Sequence, residues 1–119
     1  MRVTVADCLD LDAFRGAEVV AGKINLTNDV KAVSVLDACS SADLEFYKPD
    51  KTEILLTGFL GIKDDIDRQC ELIRAVSRRG CAALVVYYVG RAMGKLEEKV
   101  IEAAERELMP LILMPADAE

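Results

Sequence analysis

The chain has 119 residues, 52% of them hydrophobic, and a formal net charge of −6, which together predict one globular domain over residues 1–119 and not a disordered chain. The acidic balance argues against direct contact with DNA, and no apolar stretch nears the roughly 18 residues that cross a bilayer, so we expect a cytoplasmic protein without membrane contact. Histidine is absent and the four cysteines lack paired spacing, so we expect neither a metal site nor a cofactor.

The N-terminal part predicts one short helix and two strands. Thr4 is placed to cap a helix over residues 5–9, because its side chain can accept a hydrogen bond from a backbone N–H of the first turn. Residues 18–22 form a β-type run that ends at a glycine. Residues 30–36 alternate and contain Val33 and Val35, which predicts a second strand, covered on both faces.

Residues 37–50 carry the least regular pattern. Ser40 or Ser41 could cap a short helix there, which Pro49 would stop. We expect this segment to be flexible or to face a partner.

From residue 53 the pattern becomes regular. Strands are predicted over 53–57, 82–88 and 111–114, with helices between them over 64–79 and 95–107. The residues predicted to face the core from the two helices are Ile66, Cys70, Ile73 and Val76, and then Leu96, Val100, Ala103, Ala104 and Leu108. The sequence therefore predicts an α/β domain with a small, mostly parallel or mixed sheet flanked by helices and a C-terminal β-α-β-α-β unit.

The candidate binding residues follow the ends of predicted strands. Thr57 and Gly58 close one strand, Gly90 and Arg91 follow the next, and Asp37 follows the Val30–Leu36 run. Parallel strands end at one edge of a sheet, where ligands tend to bind. The glycines could instead serve only to turn the chain, and the arginine could be an ordinary exposed residue. No Walker sequence is present, and no catalytic residue can be named.

Seven blocks in order along the chain carry a family resemblance. They are residues 3–9, 16–22, 28–37, 53–58, 79–84, 89–91 and 109–115. On these blocks the chain resembles the N-terminal domain of the PucR-like family, the purine catabolism regulatory proteins of bacteria. It departs from the usual pattern in lacking a tryptophan and a glycine pair before Glu53, and in having Leu56 where a threonine is usual.

The resemblance implies a non-catalytic sensor domain of a transcriptional regulator. Such a domain would bind a small effector, a purine metabolite or a nucleotide, or form a homodimer, or both. DNA would be bound only by a helix-turn-helix domain that is not in this sequence, so the chain would be a fragment or a free-standing sensor. Two alternatives are a dimerisation or protein-interaction module without a ligand and a small enzyme that uses carboxylates and Arg91.

Overall fold

A computed structural model describes residues 2–35, 53–58, 65–87 and 96–115. The described residues form five strands in the order β1-β5-β4-β3-β2. The strands are β1 (Glu18–Ala21), β2 (Ala32–Val35), β3 (Glu53–Thr57), β4 (Ala83–Val86) and β5 (Leu111–Leu113). The strands β2, β3, β4 and β5 are parallel, and β1 pairs antiparallel with β5. The predicted α/β class with a mixed sheet is confirmed.

Three α-helices lie in the described part of the chain: α1 (Val5–Leu9), α2 (Ile66–Arg78) and α3 (Glu98–Arg106). The predicted Thr4 cap is confirmed. The Thr4 hydroxyl accepts a bond from the Asp7 N–H at 3.2 Å, and the Asp7 carboxylate accepts one from the Thr4 N–H at 2.9 Å. This reciprocal pair satisfies two N–H groups that would otherwise lack a partner in so short a helix.

Each face of the sheet has its own apolar cluster. Leu55 and Leu84 pack with α2 and α3, whereas Ile54 and Val85 pack with α1 on the other face. This division follows from the alternation of side chains along a strand. The central strand β4 is buried at every position, as expected for a parallel strand with helices on both sides.

The prediction that the Val30–Leu36 strand is covered on both faces is wrong. The strand β2 lies at the edge of the sheet, and its burial pattern is mostly exposed. Val33 and Val35 are 55% and 65% exposed. A β-branched run has the same local pattern in an edge strand as in a central one, so the sequence does not reveal what lies beside it.

The prediction that Leu108 faces the core is also wrong. The helix α3 ends at Arg106, and Leu108 lies in an exposed turn with a φ of 55°. Pro110 follows two residues later and disfavours a helical conformation at Met109. The periodicity of the sequence extends past the point where the helix stops.

Candidate functional site

Four parallel strands end at one edge of the sheet, which we call the carboxyl edge. The Thr57 carbonyl accepts a bond from the Tyr87 N–H at 2.9 Å, and the Val86 carbonyl accepts one from the Met114 N–H at 3.0 Å. These hydrogen bonds extend the pairing of the strands one residue beyond the ends of β4 and β5. The helices α2 and α3 both begin at this edge, because each connects the carboxyl end of one strand to the amino end of the next. In open α/β sheets ligands bind outside the carboxyl ends of the strands, so this edge is where we look for a ligand.

Two of the five predicted site residues are described. Thr57 is the last residue of β3 and Gly58 follows it, and both are buried. Asp37, Gly90 and Arg91 lie outside the described residues, so their position near Thr57 stays a prediction. The expected short helix after Ser40 or Ser41 also lies outside them.

Gln69 is a buried polar residue that the sequence pattern did not single out. Its exposed fraction is 2%, the same as that of Thr57, and these two are the buried polar side chains of the described residues. A buried amide or hydroxyl is costly unless it is hydrogen-bonded. Both Thr57 and Gln69 have an interaction partner in the folded chain.

A signal for Gln69 is nevertheless present in the sequence. The buried positions of α2 are Gln69, Leu72, Ile73 and Val76, which have the spacing of one helical face. Gln69 occupies the first position of this otherwise apolar face, so the buried side of α2 carries a polar group at its N-terminal end. It lies in the first turns of α2, the end of the helix that starts at the carboxyl edge.

A cleft of about 560 Å³ separates the first turns of α2 and α3 at this edge. The described residues that line it are Asp65, Ile66, Asp67, Glu97, Glu98 and Lys99. Four carboxylates against one ammonium make this wall acidic. Asp65 has a structural role, since its carboxylate accepts a bond from the Arg68 N–H at 3.1 Å and caps α2. Close to these described residues, the negative charge disfavours a phosphate group.

The three described cysteines are protonated thiols near neutral pH. Burial raises the pKa of Cys81 to about 12, although hydrogen bonds with backbone groups have the opposite, smaller effect. Burial likewise raises the pKa values of Cys8 and Cys70. A nucleophilic cysteine needs a lowered pKa, so these thiols are poor nucleophiles. Cys8 and Cys81 are buried, whereas Cys70 of α2 is half-buried and packs against the core cluster.

The described residues contain no group of three Cys, Asp or Glu side chains arranged to hold a metal ion. No helix among them is long and apolar enough to cross a membrane.

Comparison with known proteins decides the family. The model of the "Purine catabolism regulatory protein-like family" matches residues 7–119. The chain belongs to this family. A curated relative, the "Purine catabolism regulatory protein" of Bacillus subtilis (strain 168), is 30% identical over 113 residues, which cover 95% of this chain and 20% of the relative. The chain thus spans about a fifth of that protein, and the predicted membership of the PucR family is confirmed. No solved structure matches the chain.

Proposed function

We propose that this domain of the PucR family is a non-catalytic sensor that binds a purine metabolite at the carboxyl edge. The observation that carries the proposal is the pair of buried polar residues, Thr57 and Gln69, in an otherwise apolar core. The relative's name links it to the regulation of purine catabolism. A sensor of that process needs a site that distinguishes small ring compounds, and the carboxyl edge is where an α/β sheet offers one.

The chemistry of the two side chains suits a purine ring. An amide both donates and accepts hydrogen bonds, and a hydroxyl does the same, so together they can match the N–H groups, ring nitrogens and carbonyls of a purine. Thr57 and Gln69 do not line the acidic cleft, but the described carboxylates of that cleft lie at the same edge and would repel the phosphate of a nucleotide, which favours an uncharged base. Within this proposal the site is completed by Arg91, Gly90 and Asp37. The Arg91 guanidinium would donate hydrogen bonds to an acidic ring or a carbonyl group of the ligand.

The proposal assigns DNA binding to another part of a longer cytoplasmic regulator. The domain has a net charge of −6, and a DNA-binding surface needs clustered positive charge. Its contribution to transcription would be to report on the effector.

The test is a thermal-shift screen of purine bases, nucleosides and nucleotides, followed by calorimetric titration. A ligand at one hundred times its Kd adds about 2.7 kcal/mol to the unfolding free energy. We expect a free base to raise the melting temperature more than its nucleotide. Thr57→Val and Gln69→Leu, which keep side-chain volume, should each weaken binding, and so should Arg91→Ala.

Ser77→Ala is the matched control, because Ser77 is a half-buried polar residue of the same helix as Gln69, at the opposite end. It should leave the affinity unchanged. Absence of any ligand-dependent shift would contradict a sensor role. An equal affinity in the wild type, Thr57→Val and Gln69→Leu would show that binding lies elsewhere.

A further inference from the structure

We propose that β2 is the surface through which two copies of this domain pair, joining their sheets edge to edge in antiparallel fashion. This inference does not depend on an effector. The strand β2 is the last in the sheet and pairs only with β3 among the described residues. Alternate residues of an edge strand direct their N–H and C=O groups away from the sheet, and these groups are a template for another strand.

The side chains of β2 give this edge an apolar surface. Val33 pairs with Ile54 and Val35 with Leu56, so both valines lie on the face of the sheet that carries α1. Ile54 is buried and Leu56 is half-buried, whereas the two valines are mostly exposed. An apolar strip therefore runs continuously from the core to the outer edge.

The opposite edge of the sheet is protected in a way that β2 is not. The register of β1 shifts between Val19 and Ala21, and Glu18 places an exposed charge on that strand. Bulges and charges are devices that prevent edge strands from pairing. The residues Ala32–Val35 contain no charge and no proline, and their pairing with β3 is regular. Within the described sheet, β2 is thus the edge that is open to a further strand.

A second copy of this chain fits the edge because the strand is self-complementary. A two-fold axis through Ser34 would place it opposite Ser34 of the partner subunit, and Val33 opposite Val35 of the partner subunit. The four valines would then form one cluster on a single face, and no like charges would oppose each other. A dissimilar partner would need its own uncharged strand to achieve the same match.

The predicted dimer is weak. A contact centred on four residues per copy is well below the roughly 1,200 Å² of stable interfaces. Each copy also carries a net charge of −6, so the two repel each other and added salt should favour association. We expect dimers only at high protein concentration, as is usual for interfaces at the small end of the range.

The test is sedimentation velocity from about 10 µM to about 1 mM protein, with amide exchange measured by NMR over the same range. The variant Val33→Lys with Val35→Lys should be monomeric throughout, which is at least a tenfold loss of affinity. The matched control is Leu11→Lys with Ile24→Lys, which adds the same charge at two other exposed apolar residues. It should dimerise like the wild type. If the lysine variant does not fold, Val33→Thr with Val35→Thr keeps the β propensity and removes the apolar contact.

The amides of residues 32–35 should become protected as concentration rises in the wild type and the control, but not in the variant. Three results would overturn the proposal. These are a wild type that stays monomeric near the highest concentration, equal association of the lysine variant and the control, and protection of residues 32–35 that does not depend on concentration. The last result would mean that the edge is paired within its own chain.

Discussion

Substitution of Gly22 by alanine should strongly destabilise this domain. Gly22 follows β1 and has a φ of 69°, in the left-handed region. An alanine Cβ at this position would overlap the carbonyl carbon and oxygen of Met109 and the nitrogen of Pro110. These are backbone atoms at the entry to β5, so no rotation of a side chain can relieve the overlap. The segment after β1 and the segment before β5 must therefore move apart.

Four contributions set the size of the effect. The left-handed conformation costs an alanine about 1–2 kcal/mol. Separation of the segments would lengthen the 3.0 Å bond from the Gly22 N–H to the Glu105 carboxylate, and a hydrogen bond to a charged group is worth about 1.5–3 kcal/mol. It would also disturb the Ala21–Leu111 pair. Alanine also lowers the conformational entropy of the unfolded chain, which stabilises the folded state by less than about 1 kcal/mol and offsets part of this loss. We therefore expect a loss of about 2–5 kcal/mol, which reaches the upper end for single substitutions.

Gly16→Ala is the matched control. Gly16 also has a positive φ, of 82°, but its nearest neighbour is the Pro115 side chain, whose Cγ would lie 3.1 Å from the new Cβ. This variant bears the same conformational cost and the same entropy gain in the unfolded chain, with little overlap, so about 1 kcal/mol should be lost. Urea denaturation of the wild type and both variants gives the comparison. Equal losses in the two variants would refute the reasoning, because the backbone overlap would then contribute nothing.

Two further predictions concern a helix end and a buried thiol. Leu108 adopts a φ of 55° just after α3, so Leu108→Gly should be about 1 kcal/mol more stable than Leu108→Ala in denaturant titrations, and equal stabilities would contradict this. Since the folded pKa of Cys81 is raised to about 12, its protonated form stabilises the fold fully below the usual thiol pKa, and this contribution is lost as the pH rises toward 12. The unfolding free energy of the wild type should therefore fall by about 1.4 kcal/mol per pH unit more than that of Cys81→Ala in this window, and parallel pH profiles would contradict the prediction.

The sequence predicts best where a local rule determines the structure. The strand β3 has the predicted bounds, because an apolar run ends at Thr57 and Gly58. The Thr4 cap is also local, since both partners lie within four residues. The acidic run predicts that α2 starts near Asp64, and Asp65 is the residue that caps it. In each case, neighbouring residues carry the information.

Sequence-based predictions fail where the answer depends on a distant part of the chain. Val33 and Val35 have the pattern of a covered strand, but their exposure depends on whether another strand lies beside β2. Leu108 continues the apolar period of α3, but the helix ends before it. Gln69 escapes notice because an amide on a helix is usually exposed, and only the packing of α2 in the folded domain makes it buried.

The chemistry of the described residues favours recognition over proton transfer. The chain has no histidine, and the described thiols have raised pKa values, so two common catalytic groups are missing or inactive. Asp65, at the carboxyl edge, is engaged in capping α2. Thr57 and Gln69 are neutral and buried at the same edge, where a hydrogen bond is strengthened by its apolar surroundings. Such groups discriminate well between ligands that differ in one donor or acceptor, because a mismatch leaves a buried polar atom unpaired. The sensor proposed above would use that selectivity, and recognition of a purine needs no acid or base.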